Sequence, residues 1–301
     1  MIVRVLGSAA GGGVPQWNCA CANCRAAREG RFPRRAQSSV AVSADGTRWL
    51  LLNCSPDVGA QIEAFAPLQP HETRGTPIAG MLLTDANVDH LGGLATLRQS
   101  GEHRFVLRSS AVVRAIATAQ PAFAPFARPP HLWLEASLGD VCETAAPDDL
   151  AGGDLVVRTI AVPGTTPGYD GRRRVPGAVV AFEIWEPRRD ARLLFAPVFA
   201  DLDAPLRAAI ASATVAFLDG SFYDDDEMVT QGLMRKTARE LGHLPAGGPD
   251  GTLARLRDGC AGVVFTHLNN SNPMLDPESD AYARVREAGA EVAYDGMELT
   301  L

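Results

Sequence analysis

Three apolar strands that each run out into a metal-capable side chain constrain this chain more than any other feature. Leu82-Leu83-Thr84 leads into Asp85-Ala86-Asn87-Val88-Asp89-His90-Leu91-Gly92-Gly93, Val215–Leu218 leads into Asp219, and Val263–Thr266 leads into His267. Polar side chains at the carboxyl end of a buried strand stand where open α/β sheets place their ligands. Asp89 and His90 are adjacent at the start of a helix, so both can converge on one point, and Gly92 and Gly93 leave room for close backbone approach. Each segment alone is compatible with a helix cap or a surface polar residue. Together they offer two imidazoles and two carboxylates, a set suited to one divalent first-row metal.

The remaining pattern sets the frame for those strand ends. Strands are predicted at Ile2–Leu6, Ser39–Val42, Trp49–Leu52, Gly80–Leu83, Arg104–Leu107, Leu155–Ala161, Ala178–Trp185, Leu193–Ala196, Val215–Leu218, Gly262–Thr266 and Glu291–Tyr294. Helices are predicted at Pro56–Ala66, His90–Gln99, Ser110–Ala119, Pro205–Ala211, Gln231–Leu241, Gly251–Arg257 and Pro277–Ala288, with Ser110 and Asp203 placed as caps. Strands followed by helices in two successive halves suit an αββα sandwich, two packed sheets with helices outside. The strand list by itself also permits a doubly wound sheet. No linker divides the chain, so one domain spanning residues 1–301 is expected, with a stretch at Gln120–Pro130 that breaks periodicity and reads as an insertion or lid.

Composition narrows the function. With 46% hydrophobic and 21% charged residues the chain reads as soluble and globular, and 301 residues bury a large core. A formal charge of −7 argues against nucleic acid or an anionic membrane held through bulk charge. Arg172-Arg173-Arg174, bracketed by Gly171 and Gly177, survives that argument as a local basic patch and reads as a solvated loop rather than an anion clamp, and Asp224-Asp225-Asp226-Glu227 reads as a solvated acidic face. No run approaches the roughly 18 apolar residues that span a bilayer. Met1–Gly13 lacks the layout of an export signal, which predicts a cytoplasmic location. His71, His103 and His131 have no partner pattern, and Gly11-Gly12-Gly13 lacks dinucleotide-binding spacing.

Cys19, Cys21 and Cys24 form a C-x-C-x-x-C run within residues 14–25. Thiolates at that spacing wrap one ion without long loops, and soft sulfur favours a structural Zn2+. A redox dithiol or an iron–sulfur ligand set are the alternatives, although the usual cluster needs a fourth cysteine. Cys54, Cys142 and Cys260 lack matching spacing and read as buried thiols.

The run from Asp85 to His90 resembles the His-x-His-x-Asp-His signature of the metallo-β-lactamase superfamily, with Asp85 and Asn87 where the first two histidines belong. Asp219 matches the superfamily's bridging aspartate and His267 its last metal histidine. The third histidine of the first metal site is expected near Pro163–Pro167, and none is there. One site has lost its imidazoles, and the other keeps Asp89, His90, Asp219 and His267. With the opening Gly7–Cys24, and with Leu218–Phe222, Gly242–Pro245 and His267–Pro273, the chain resembles the branch of that superfamily that serves biosynthesis of pyrroloquinoline quinone, PQQ. In related phosphodiesterases of the superfamily a histidine three positions after the last metal histidine closes the cysteine site; Asn270 stands there, a candidate fourth zinc ligand.

The resemblance implies an oxygen-dependent hydroxylation of the tyrosine ring in a cross-linked Glu–Tyr precursor, with that precursor and O2 as partners. Two histidines and a carboxylate favour Fe2+. Asp89, His90 and His267 are therefore expected to hold it, with Asp219 as a fourth ligand or nearby base. His243 resembles a superfamily proton-transfer histidine. Asp85 and Asn87 either contact substrate or fill the vacated site as satisfied polar groups. A carrier that binds PQQ or its precursor for release, and a mononuclear zinc hydrolase, are the competing readings. Membrane insertion is not expected, and self-association is compatible with the chain.

Overall fold

The computed structural model describes residues 1–101, 103–139, 141–142, 155–187, 189–256 and 262–301. In chain order, β1 (Ile2–Gly7), β2 (Ser39–Ser43), β3 (Trp49–Leu52), β4 (Ile78–Leu82), β5 (Val106–Ser109) and β6 (Leu132–Glu135) build one sheet. A second is built by β7 (Val141–Cys142), β8 (Val156–Ala161), β9 (Val180–Trp185), β10 (Arg192–Ala196), β11 (Val215–Asp219), β12 (Val263–Thr266) and β13 (Glu291–Val292). The last strand, β14 (Glu298–Thr300), returns to pair with β1. In the first sheet β14, β1, β2 and β3 are antiparallel and β3 to β6 are parallel. The second repeats the plan, antiparallel from β7 to β10 and parallel from β10 to β13.

The central strands are apolar without alternation because both of their faces are covered. In β3, Leu50 and Leu52 point between the sheets, whereas Trp49 and Leu51 point outward under helices. In β9, Val180, Phe182 and Ile184 face the other sheet and Ala181 faces out. Val42 and Leu52 of one sheet thus share a cluster with Phe195 and Phe217 of the other. Outside the first sheet, Met81 and Trp49 join Val58 of helix Val58–Glu63 and Val113 of helix Ala111–Thr118. Outside the second, Leu218 and Phe265 join Leu206 of helix Ala204–Ser212 and Val285 of helix Asp280–Glu287. Fully burying one such side chain contributes roughly 1.5–3 kcal/mol. The layers are αββα, as expected; a single doubly wound sheet is excluded.

Both expected caps hold, Ser110 Oγ accepting from Val113 N at 3.1 Å and Asp203 Oδ1 from Leu206 N at 3.0 Å. The expected helix Gln231–Leu241 does not form as one piece. Gly232 takes φ of 67° and carries the chain out of the helix Glu227–Thr230, and a capping box between Thr237 and Glu240 starts the helix Ala238–Leu241. The expected helix His90–Gln99 likewise splits into Val88–Leu91 and Leu94–Leu97. Strands β6, β7 and β14 were not anticipated. No described helix is long and apolar enough to cross a membrane.

The carboxyl ends of the parallel strands β4, β11 and β12 meet where the two sheets are stitched together. Val180 N donates to Thr84 O at 2.8 Å, Asp85 forms an isolated bridge with Val179, and Leu268 exchanges backbone bonds with Ser8 and Ala10.

Candidate metal centre

Beyond β4 side chains add to the backbone bonds that hold the chain. Asn53, buried and with φ of 63°, accepts from Thr84 N at 2.9 Å through Oδ1. Asp85 Oδ1 accepts from Asn87 N at 2.9 Å and from Asn87 Nδ2 at 2.7 Å, a local turn that presents the start of the next helix. Asp85 Oδ2 lies 2.6 Å from His90 Nδ1. A carboxylate only accepts, so Nδ1 carries the proton and Nε2 is the free lone pair. That Nε2 is fully buried, has no hydrogen-bond partner among the described residues, and faces Asp89 Oδ2 at 3.8 Å.

His267 arrives from the end of β12 in the left-handed region, φ of 60°, a conformation that non-glycine residues adopt chiefly where surroundings enforce it. Its ring is tied down by Ser221, whose Oγ lies 2.6 Å from Asp219 Oδ1 and 2.7 Å from His267 Nδ1. The hydroxyl proton goes to the carboxylate, so Ser221 accepts from Nδ1, and His267 Nε2 also turns a lone pair toward Asp89 Oδ2, at 3.2 Å. Two imidazole lone pairs and a carboxylate therefore face one another, an arrangement that calls for a cation between them. Asp89 can approach this closely because Gly11 lies against it, where a β-carbon would sit 3.2 Å from Oδ2.

Protonation follows the same logic. Burial drives the His90 pKa down, but the Asp85 and Asp89 carboxylates outweigh it and raise it to about 9. Burial alone would raise Asp89, whereas the His90 and His267 imidazoles hold it well below the usual carboxylate range. The site stabilises positive charge, and the donor set fits a divalent ion.

The four expected ligands do not form one group. Asp89, His90 and His267 place their donor atoms within 4.8 Å of one another, and Asp219, His243 and His267 form a second such group. Asp219 accepts from Phe199 N, Ser221 N, Ser221 Oγ and His243 Nδ1, so protein donors take up its oxygens. Burial lifts the Asp219 carboxyl, but the His243 imidazole at 2.8 Å dominates and lowers it. His243 also packs edge-on to Phe222 and nearly parallel to His267, at ring separations of 5.5 and 5.8 Å. Of the two readings offered for Asp85, a substrate contact or a satisfied polar group in the vacated site, the second agrees with its complete burial and its bond to His90. Asn87 keeps a place on the cavity wall, although its amide is bonded to Asp85.

The cavity holds about 310 Å3. Asp89, His90 and His267 form its floor, Thr165 and Thr166 line it where the lost histidine would stand, and Phe222 and Val198 add apolar surface. Arg172, expected in a solvated loop, also lines it. Ser221 was missed as a site residue, a serine two positions after a strand-end aspartate being its signal; for Arg172 the run of three arginines was the signal, since it allowed an anion clamp beside the preferred solvated loop.

On the amino-terminal loop the cysteines converge. The Cys19, Cys21 and Cys24 sulfurs lie within 4.8 Å of one another, at the entrance to helix Ala22–Arg28. The Asn270 side-chain amide stands 3.2, 3.5 and 3.4 Å from Cys19, Cys21 and Cys24. Three thiols and an amide whose oxygen and nitrogen can exchange places by a flip fit a tetrahedral zinc. Burial pushes the Cys24 thiol up to about 11, so an ion, rather than solvent, is what would keep it ionised. Asn23 Nδ2 donates to the carbonyls of Asn270 and Asn272, latching the cysteine loop to the loop that carries His267. Cys54 is buried as expected; Cys260 and the side chain of Cys142 lie outside the described residues. Glu227, placed on a solvated acidic face, is instead buried and accepts from Ser271 Oγ at 2.5 Å and Tyr223 N at 2.8 Å.

Two mixed sheets between helices, with a carboxylate and imidazoles at the strand ends, define the metallo-β-lactamase fold, and the family model described as the β-lactamase superfamily domain matches residues 48–268. Within that class the chain belongs to the coenzyme PQQ synthesis protein B family. It is 40% identical over 313 residues to coenzyme PQQ synthesis protein B of Methylococcus capsulatus, covering 100% of both chains. The Zn2+-bound crystal structure of PqqB from Methylobacterium extorquens superposes with a TM-score of 0.91 at 36% identity, again over 100% of both. A diphosphatase of the PhnP family, 18% identical with a TM-score of 0.67 over 100% of this chain and 97% of its own, shares the fold alone.

Proposed function

We propose that this chain acts in the cytoplasm, as one domain, in PQQ biosynthesis, hydroxylating the tyrosine ring of the cross-linked Glu–Tyr precursor. The observation that carries this reading is the trio of Asp89, His90 and His267, two imidazoles and one carboxylate on the floor of a single cavity. Asp89, His90 and His267 would hold Fe2+, which would supply the activation of dioxygen. A bridging hydroxide between two metals, the hydrolytic device of dinuclear sites, finds no second set of imidazoles at Asp85 and Asn87.

The protein's own groups do the rest. Asp85 and Ser221 fix the two imidazoles so that both Nε2 atoms face the ion. Phe222, Val179 and Val198 exclude water from the cavity. His243, anchored through Nδ1 to Asp219, keeps Nε2 for exchanging a proton with the phenolic substrate. The cysteines with Asn270 hold a structural Zn2+, the ion that three converging thiols favour.

Replacing a ring hydrogen by hydroxyl consumes O2, two protons and two electrons and releases water, so the assay contains a reductant. Protein reconstituted anaerobically with Fe2+ is mixed with precursor, and oxygen is admitted. A product heavier by one oxygen, labelled from 18O2, is expected. Equal turnover with zinc in the absence of oxygen identifies a hydrolase, and tight binding without conversion identifies a carrier; either result rejects the proposal.

A further inference from the structure

We infer that Arg172 is the anchor for a substrate carboxylate, held over the metal cavity by a braced loop. The inference rests on the reading above, because a cross-linked Glu–Tyr precursor carries several carboxylates and would need a fixed cation to orient its ring. Among the described residues that line the cavity, Arg172 is the one guanidinium.

Its loop is built to place it there. Thr166 N donates to Arg173 O at 2.9 Å and Thr166 Oγ1 accepts from Arg173 N at 2.9 Å, closing the loop at its base. Arg173 Nη2 pairs with Asp170 at 2.6 Å, so the neighbouring arginine and carboxylate neutralise each other. Arg172 N bonds back to Pro167 O, and the Tyr169 hydroxyl donates to Ala86 O, fastening the loop to the segment that presents Asp89 and His90. At the tip Arg172 takes φ of 52°, a region that costs a non-glycine residue of order 1 kcal/mol and is retained where the side chain has a task.

The guanidinium is steered, yet its charge is not used up. Nη1 donates to Leu241 O at 3.0 Å, on the segment that also carries His243. Among the described residues no carboxylate pairs with Arg172, and the backbone of Gly168 lies beside its Nε, where a β-carbon would come to 3.8 Å. The Nε and Nη2 edge is therefore available for the two parallel bonds that guanidinium makes with a carboxylate. Asp89, the carboxylate on the cavity floor, is held by His90 and His267 and so does not compete for it.

Arg172→Gly tests this, because glycine suits the backbone at φ of 52° and its thermal midpoint should not fall below wild type. Binding of the synthetic cross-linked Glu–Tyr precursor is measured anaerobically with zinc in the site, by calorimetry, so that no oxygen chemistry enters. The Gly variant should bind it roughly 10- to 100-fold more weakly, with Arg172→Lys in between. Methyl-esterified precursor should bind wild type as weakly as the free acid binds the variant, and esterification should cost the variant little further. Binding of the free acid by Arg172→Gly within about twofold of wild type would overturn the anchor. So would an equal esterification penalty in both proteins. A protein that binds through Arg172 but incorporates no oxygen removes the hydroxylase reading and leaves the anchor standing.

Discussion

His90 is gripped at Nδ1 by Asp85, so a carboxylate outside the cavity governs the basicity of the nitrogen inside it. Asp85→Asn keeps an acceptor in place and removes only the charge. Affinity of the Asp89, His90 and His267 site for its ion should fall by about 10-fold or more, measured by chelator competition; unchanged affinity would remove Asp85 from this role. The same residue predicts a pH response. With a folded pKa of about 9 against 6.5, protonated His90 stabilises the metal-free protein below 6.5, and that contribution is lost as pH rises to about 9. Metal-free protein should therefore lose denaturant resistance across this window, whereas metal-loaded protein should not, because Nε2 then holds the ion in place of a proton. Parallel midpoints for the two forms would contradict this.

Two loops and one cap show how elements share the work. His267 and Asn270 leave β12 on one loop, and the cysteine loop docks onto it through Asn23. His267→Ala should empty the cavity site and leave the zinc of Cys19, Cys21 and Cys24, so metal content should drop by one equivalent per chain; loss of both ions would show that the sites are not independent. Ser110 both caps helix Ala111–Thr118 and donates to Gly177 O at 2.6 Å, ahead of the strand β9 that bridges to Asp85. Ser110→Ala should cost about 1–2 kcal/mol, read as a lower urea midpoint at constant slope. Local signals of this kind were legible at Ser110 and Asp203, whereas the Thr237 to Glu240 box went unread inside the helix expected at Gln231–Leu241. The continuous helix expected at Gln231–Leu241 ignored Gly232, whose positive φ ends the preceding helix. Strand β14 was too short to read, since Glu298–Thr300 gains its order from β1 and not from its own pattern.

Between the sheets, Phe217 and Phe182 lock the halves together, and Phe217→Ala should destabilise by about 3–5 kcal/mol, checked by equilibrium unfolding. Near-wild-type stability would mean that the layers repack freely. By itself the sequence determined the alternation of strands and helices, the cysteine cluster and the strand ends bearing Asp89, His90, Asp219 and His267, because apolar period, residue type and spacing are local properties; the choice between αββα layers and a doubly wound sheet needed strand pairing as well. Tertiary structure decided which of those side chains meet. It drew Asp219 to His243 and Ser221, turned Asp85 inward onto His90, and brought Arg172 over the cavity. The reason is physical: convergence depends on the order and register of β4, β11 and β12 in two separate sheets, and it brings together side chains such as Asp89 and His267, more than a hundred positions apart, that no local pattern relates.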